Sequence, residues 1–326
     1  MITKYEKLLW AAYGVVLVIL YMMSSTDLII KEKKPEVYPV SVIVEDSTDD
    51  NYVNFRKGME QAAMEMNVDV SFITLYDSGD RKQQQELAVR EQQEGARALV
   101  IAPVDGEEAA RLLEDDRIQV PVVLLGSEAA APDTRVSARI TFDYYGMGRE
   151  LGSRIVEKHG RELPVYVFSQ GQQGEAEQLF GDGLTSVLQA DGREITRFKR
   201  EETGGFRNVV EGLVYPGVGR VVIVALDQDS LVETAGVLKD SSVYASYVEG
   251  LYGRGTSIPA LNELERGIVE GLSITDDFSA GYLAVKSAVR MISGGFDPGQ
   301  GYLASHYIER QDLHREAYEK LLYPIG

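Results

Sequence analysis

Short apolar runs alternate with amphipathic stretches along most of the chain. Neighbouring runs start 22 to 30 residues apart within each half, which is the length of one strand with its crossover helix. Runs such as VVIVAL are apolar throughout, as in parallel strands covered on both faces. The pattern predicts two parallel sheets built from right-handed strand–helix–strand units. The predicted strands begin at Val40, Val68, Ala98 and Val120 in the first half, and at Val165, Ile195, Val221 and Val243 in the second.

Two stretches carry apolar residues at the three- and four-residue steps of a helix that buries one face. With 326 residues, the chain is long enough for two domains that each bury a core. We therefore predict an α/β protein with two halves of matched design, about 120 residues each. The two stripes are Tyr52, Phe55, Met59, Ala62 and Met66, and Phe278, Gly281, Val285, Ala288 and Ile292.

The N-terminal region has one long apolar run instead of several short ones. Nineteen uncharged residues run from Leu8 to Thr26, and as a helix they are about 28 Å long, enough for the hydrocarbon core of a bilayer. Trp10 and Tyr21 lie near the two ends, where aromatic anchors are favoured. A cleaved signal peptide is the alternative, but its apolar core would be unusually long and no small-x-small cleavage site follows. We predict a single-pass membrane anchor in residues 1–30, a tether in residues 31–39 and an extracytoplasmic domain after them.

Charge and composition restrict the possible functions. The chain carries −18 in total and its first 34 residues carry +2, so the remainder carries −20. Such a domain repels a phosphate backbone, which excludes nucleic acid as a partner. There are no cysteines and only three histidines, none beside plausible metal ligands, so no metal or cofactor is expected. Dinucleotide, phosphate-loop and nucleophile-elbow motifs are missing too, although a carboxylate pair for glycoside hydrolysis stays open.

An ordered series of segments resembles one protein family. The segment that begins VSVIVEDSTDDNYVNFRKGMEQAA and ends IAPVD is followed by VPVVLLG, TFDYYGMGRELG, FGDGL, VALDQDSL and ERGIVEGLSITDDFSAGYLAVKSAV. This series is similar to the ribose-binding branch of the type I periplasmic solute-binding proteins, whose fold also forms the effector domains of lactose-repressor-type regulators. The resemblance covers about residues 40 to 310. An apolar anchor stands where the repressors carry a helix-turn-helix module, which favours a receptor at the membrane.

The resemblance implies two Rossmann-like lobes with parallel sheets, joined by a hinge and preceded by the N-terminal transmembrane helix. We expect lobe 1 to comprise residues 40–141 and 276–302, and lobe 2 to comprise residues 142–275 and 303–318. Ligands of open parallel sheets bind beyond the carboxyl ends of the strands, so loops from both lobes should line one cleft. These loops are rich in polar and aromatic residues, which suits a sugar or polyol. They are residues 45–52, 103–105, 126–127, 142–143, 169–180, 226–229, 250–255 and 275–278.

The resemblance also implies roles for individual residues. Asp49 and Tyr52 match the polar and aromatic ligand contacts of the first loop, and Asp227 matches a ligand-binding Asn or Asp. Other positions depart from the family: Ser127 falls where many sugar binders have an Asp-Arg pair, and Phe180 falls where they have an arginine. Further candidates in the same loops are Arg254, near a family aspartate, Thr275, near a family glutamine, and Asp143, Gln178 and Asp276.

Several of these residues have a structural alternative. Asp49 and Asp143 could each cap the helix that follows, and for Asp143 the role of cap and hinge is favoured over a ligand contact. Phe180 could belong to the core. Asp227 is the strongest candidate, because an acid directly after an apolar strand has few structural roles at this edge.

The combined prediction is an extracytoplasmic receptor that binds a small polar ligand, a sugar or polyol, and closes by hinge motion. The closed form would engage the permease of an ABC importer or a sensor histidine kinase. The alternatives are an α/β enzyme that acts on a carbohydrate, and a binder of a non-sugar solute.

Overall fold

The computed structural model describes residues 4–25, 37–47, 50–128, 137–171, 174–217, 219–295 and 302–323. The chain divides into two compact units, Met1–Val37 and Tyr38–Gly326. The first unit contains helix α1, Lys4–Ser25, which is about 33 Å long at 1.5 Å per residue. Among the described residues it is the one helix whose length and composition suit a membrane span, and the candidate span is Lys4–Met22.

In the second unit, the first sheet has five parallel strands in the order β2-β1-β3-β4-β5. Helices α2 and α12 pack on one face of this sheet, and α3 and α4 pack on the other. The strands are β1 Pro39–Ile43, β2 Asp69–Ile73, β3 Ala98–Ile101, β4 Val122–Leu125 and β5 Ser137–Ile140. The helices are α2 Val53–Met66, α3 Arg81–Gln93, α4 Gly106–Glu114 and α12 Asp277–Ile292.

The second sheet has six strands in the order β11-β10-β9-β8-β6-β7, and only β11 runs antiparallel to its neighbour. Helices α5 and α6 cover one face. The strands are β6 Val165–Ser169, β7 Ile195–Lys199, β8 Val221–Ala225, β9 Val248–Arg254, β10 Gly271–Thr275 and β11 Ser305–Ile308. The helices are α5 Tyr144–Lys158, α6 Glu175–Ala190, α7 Arg200–Thr203, α8 Phe206–Gly212, α9 Gln228–Asp240, α10 Ser242–Ala245, α11 Ile258–Arg266 and α13 Glu316–Leu322.

The chain passes between the two sheets along adjacent segments. The amide of Leu303 donates to the carbonyl oxygen of Thr141 at 2.9 Å, and the amide of Asp276 donates to the carbonyl oxygen of Ala304 at 3.4 Å. A parallel bridge also pairs Phe142 with Leu303. These bonds join the segments after β5, after β10 and before β11, which makes this bundle the connection between the lobes.

In each lobe, two helices cross at a pair of glycines. A Cβ at Gly58 in α2 would overlap the carbonyl oxygen of Phe278, and a Cβ at Gly281 in α12 would overlap that of Phe55. The same arrangement recurs in the other lobe. A Cβ at Gly148 in α5 would overlap the carbonyl oxygen of Phe180, and one at Gly183 in α6 would overlap that of Tyr145.

The sequence predicted this fold class and most of its strands. Two parallel sheets in two lobes are confirmed. The strand predicted at Val243 is wrong: Ser242–Ala245 is a short helix, whose cap residue Ser241 accepts from the amide of Tyr244, and β9 begins at Val248. The strands β5, β10 and β11 were not predicted, because Ser, Arg, His or Gly interrupts their short apolar runs.

We expect Gly58→Ala and Gly281→Ala each to lower the free energy of unfolding by about 3 kcal/mol, at the upper end of the usual cost of overpacking. Each new methyl group would meet a helix backbone that cannot move without separating α2 from α12. Chemical denaturation of the single variants measures this cost.

Gly236→Ala is the matched control. Gly236 lies exposed in α9, and a Cβ there would meet no atom within 4 Å. This substitution should stabilise the protein by up to about 1 kcal/mol through helix propensity. Losses of less than 1 kcal/mol at both Gly58 and Gly281 would show that the close crossing is dispensable.

Candidate ligand-binding cleft

A cleft of about 840 Å³ opens between the two lobes. Its walls are the loops that follow the carboxyl ends of strands in both sheets, as expected for parallel sheets that face each other. Every one of the eight loop segments named from the sequence contributes at least one lining residue. The cleft is thus a shared feature of both lobes.

Arg254, at the end of β9, lines the cleft and is partly buried. Its guanidinium carbon lies 5.3 Å from the ring centre of Tyr144 and 5.9 Å from that of Phe180, in cation–π geometry. The two aromatic rings hold the side chain in place. Among the described residues, Arg254 has no hydrogen-bond or ion-pair partner, so its five N–H donors are available to a ligand.

Two carboxylates flank this arginine, and hydroxyl groups orient both of them. The Tyr52 hydroxyl donates to Oε2 of Glu45 at 2.6 Å. Asp277, the first residue of α12, accepts from the hydroxyls of Thr256 at 2.5 Å and Thr275 at 2.7 Å. Arg254 favours the ionised form of both carboxylates through its positive charge. The centre of the cleft therefore contains acceptors and donors in fixed positions.

Burial shifts the pKa values of these groups. Desolvation raises the pKa of Glu45 to about 6, although the Tyr52 hydrogen bond opposes the shift. Burial likewise raises the pKa of Asp277, against the bonds from Thr256 and Thr275 and the charge of Arg254. For Tyr144, burial raises the pKa to about 12. At both carboxylates, burial therefore outweighs the favourable charge of Arg254.

Three aspartates named from the sequence are helix caps. Asp227 caps α9: one carboxylate oxygen accepts from the Ser230 amide at 2.7 Å, and the other accepts from the Ser230 hydroxyl at 2.7 Å and the Gln170 amide at 3.0 Å. The expectation that Asp227 has few structural roles is therefore wrong, although it also lines the cleft. Asp276 caps α12 through Ser279, and exposed Asp143 caps α5 through the amide of Gly146.

The other named residues have varied positions. Ser127 is fully buried and donates to Glu175 of the opposite lobe at 2.5 Å, so it joins the lobes. Phe180 is also fully buried, beneath Arg254, which agrees with the core alternative. Gln178 is exposed and lines the cleft. Tyr52, Arg254 and Thr275 line it as well, whereas Asp49 lies outside the described residues.

Sequence reasoning did not single out Tyr144, Gln228 and Asp277, all of which line the cleft. Gln228 accepts from the amides of Thr256 at 2.9 Å and Ser257 at 2.8 Å, and its amide group donates to Asn51 of the opposite lobe. Glu45, which also lines the cleft, was missed as well. Each of the other three missed residues directly follows a capping aspartate. A position directly after a helix-capping aspartate is the sequence signal that could have identified these three residues.

Comparison with solved structures finds the same architecture in sugar-binding proteins and in a complex that contains a sensor domain. The glucose-galactose binding protein of Geobacillus stearothermophilus has 17% identity and a TM-score of 0.71, and the match covers 86% of this chain and all of that one. An ABC transporter solute-binding protein of Agrobacterium vitis has 15% identity and a TM-score of 0.75, with 88% and 100% coverage. A complex of TorT with the TorS sensor domain has 18% identity and a TM-score of 0.73, with 89% and 98% coverage. These likenesses establish the shared fold.

Family membership rests on a separate comparison. A comparison with curated protein sequences finds no match. The model of the periplasmic binding protein domain, however, matches residues 40–295, which is most of the chain. This match confirms the predicted resemblance and the prediction of a receptor in place of an enzyme. The chain belongs to the periplasmic binding protein family, whose members are extracytoplasmic, and it is a solute-binding protein.

Proposed function

We propose that the cleft binds a sugar or polyol, and that Arg254, Glu45 and Asp277 make its central contacts. A hydroxyl group donates one hydrogen bond and accepts others. It can therefore donate to the carboxylate of Glu45 or Asp277 while it accepts from the guanidinium of Arg254. The arrangement of two hydroxyl-oriented carboxylates around an arginine without an ion pair carries this proposal.

Proteins of similar fold support the ligand class. The Agrobacterium vitis protein is described bound with alpha-D-tagatopyranose, and a carbohydrate-transporter binding protein of Agrobacterium radiobacter is described in complex with D-arabinose. A binding protein of Actinobacillus succinogenes contains D-allose.

The residues expected from the sequence divide into two groups in this proposal. Arg254, Gln178, Thr275 and Asp227 contact the ligand directly, the last through the one acceptor position that its three hydrogen bonds leave. A second group supports the site: Tyr52 orients Glu45, Phe180 supports Arg254, Ser127 joins the lobes, and Asp143 and Asp276 begin helices beside the hinge.

Binding is coupled to hinge closure in this proposal. Residues 40–141 with 276–302 and residues 142–275 with 303–318 move as two bodies about the connecting segments. The contacts of Gln228 with Asn51 and of Glu175 with Ser127 join the two bodies across the cleft. Ligand contacts on both sides add to these bonds and shift the population towards the closed form.

The closed form would then be recognised at the membrane by the permease of an ABC importer. A sensor kinase is the second candidate partner, favoured by the likeness to TorT, which is described in complex with a sensor domain. Helix α1 would act as a single-pass anchor that keeps the receptor beside either partner.

The proposed ligand class is tested by thermal unfolding of the protein with a panel of sugars and polyols. At one hundred times Kd, a true ligand should stabilise the protein by about 2.7 kcal/mol. Arg254→Gln should weaken binding ten- to a hundredfold, because a hydrogen bond to a charged group contributes about 1.5–3 kcal/mol.

Arg207→Gln is the control, since Arg207 forms an exposed ion pair with Asp240 outside the cleft. A panel that gives no shift, alongside a clear shift with an amino acid or peptide, would refute the sugar assignment.

Glu45→Gln should raise stability and lower ligand affinity. The pKa of Glu45 in the folded protein is about 6, above its usual 4.5. Between these two pH values the folded protein therefore holds a proton on Glu45 that the unfolded chain has lost, and the wild type loses stability as the pH rises through this range. Above that range the glutamine variant should be more stable than the wild type by about 1–2 kcal/mol, and below it the two should be equal. Urea unfolding at several pH values measures the difference.

Asp115→Asn is a control of opposite sign. Hydrogen bonds from Arg117 lower the pKa of Asp115 to about 2, so this variant should be less stable than the wild type at neutral pH, with a gap that narrows on acidification. A Glu45→Gln difference that does not change between pH 4 and 7 would contradict the raised pKa.

The anchor is tested by cell fractionation. Full-length protein should sediment with the membranes, and limited proteolysis in the tether, residues 31–39, should release the binding domain. A soluble mature form that begins shortly after Ser25 would show instead that the N-terminal segment is a cleaved signal peptide.

A further inference from the structure

The charge of the cleft points to a narrower ligand class, and this inference rests on the proposed function. Among the described residues, eight acidic and three basic side chains line the cleft, a formal net charge of −5. Two of the basic side chains are already neutralised: Arg81 pairs with Asp105, and Arg200 pairs with Glu233 at 2.6 Å. Of these three arginines, Arg254 alone has no ion-pair partner among the described residues.

The excess of acidic over basic side chains is also present around Arg254. The charge of Arg254 acts on Glu45 and Asp277, and Asp46 acts on Glu45, so these four side chains carry a formal net charge of −2. Asp46 is held in place by the Ser78 hydroxyl at 2.9 Å and by the amide group of Asn51 at 3.2 Å. In a cleft with low-dielectric walls, such a cluster concentrates cations and repels anions.

The protonation behaviour agrees with this imbalance. Burial raises the pKa of both Glu45 and Asp277 despite the nearby arginine, and Asp46 raises the pKa of Glu45 further. A further positive charge would stabilise both ionised carboxylates. A neutral ligand would add no positive charge, and an anionic sugar acid would increase the electrostatic repulsion among the negative groups.

We infer that the preferred ligand is an amino sugar, a polyhydroxylated ring that carries a protonated amine. Its ammonium group donates to the carboxylates of Glu45 and Asp277, while its hydroxyl oxygens accept from Arg254. Charge-assisted hydrogen bonds of this kind are about twice as strong as neutral ones. An amine in place of a hydroxyl changes the size of the ring little, so the distinction is electrostatic.

The test uses the full-length protein in a detergent without a sugar headgroup, titrated calorimetrically at pH 6.5, below the pKa of about 7.7–8.0 of an α-amino group. The probes are glucosamine, galactosamine and mannosamine, each beside its neutral parent hexose and the corresponding uronic acid. At least one amino sugar should bind about tenfold or more tightly than its parent, and the acid should bind more weakly than both.

Two variants test the carboxylates. Glu45→Gln and Asp277→Asn should each reduce the preference for the amino sugar over its parent to about threefold or less, while melting curves report on folding. Glu86→Gln is the control, since Glu86 is an exposed acid on α3 outside the cleft lining, and it should leave the preference unchanged. An equal loss of preference in the control would overturn the assignment to these carboxylates.

The outcomes separate the two claims. Neutral hexoses that bind as tightly as the amino sugars would overturn the amino-sugar inference and leave the proposed sugar receptor intact. Tighter binding of the uronic acids would overturn it as well. Failure of every sugar and amino sugar to bind would overturn both.

Discussion

The close contact of two helix pairs is the constraint on which this structure depends. Helices α2 and α12 meet at Gly58 and Gly281, and α5 and α6 meet at Gly148 and Gly183. With no Cβ between them, backbone packs against backbone near the N-terminal ends of α2, α5 and α12 and at the middle of α6. Those ends lie where the parallel strands end, so the same contacts bring Tyr52, Tyr144, Glu175 and Asp277 to the edge of the cleft.

At this edge of the cleft, two consecutive residues of the chain have different roles. At three helix starts an aspartate accepts from the backbone amide three residues later, and the next residue faces the cleft: Asp143 precedes Tyr144, Asp227 precedes Gln228, and Asp276 precedes Asp277. Capping satisfies free N–H groups at the helix terminus. The cap orients the first turn of the helix, and this first turn orients the side chain that faces the cleft.

The centre of the cleft carries an energetic cost that binding can offset. Partly buried Glu45 and Asp277 have raised pKa values, and Arg254 has no ion-pair partner among the described residues. Groups held this way destabilise the empty protein and become favourable once a ligand bonds to them.

The sequence alone determined the fold class, because apolar runs of strand length at the spacing of crossover helices are compatible with few other folds. It also determined which loops line the cleft, because the carboxyl ends of parallel strands share one edge of the sheet. It did not determine which residue of each loop faces the cleft. Asp276 and Asp277 are identical in type, and only the start of α12 makes the first a cap and the second a cleft residue. Ser127 and Phe180 depend on contacts between residues distant in sequence, with Glu175 and Arg254. Tertiary packing decided these roles, since side-chain direction depends on backbone geometry and on neighbours from the other lobe, neither of which is visible in local spacing.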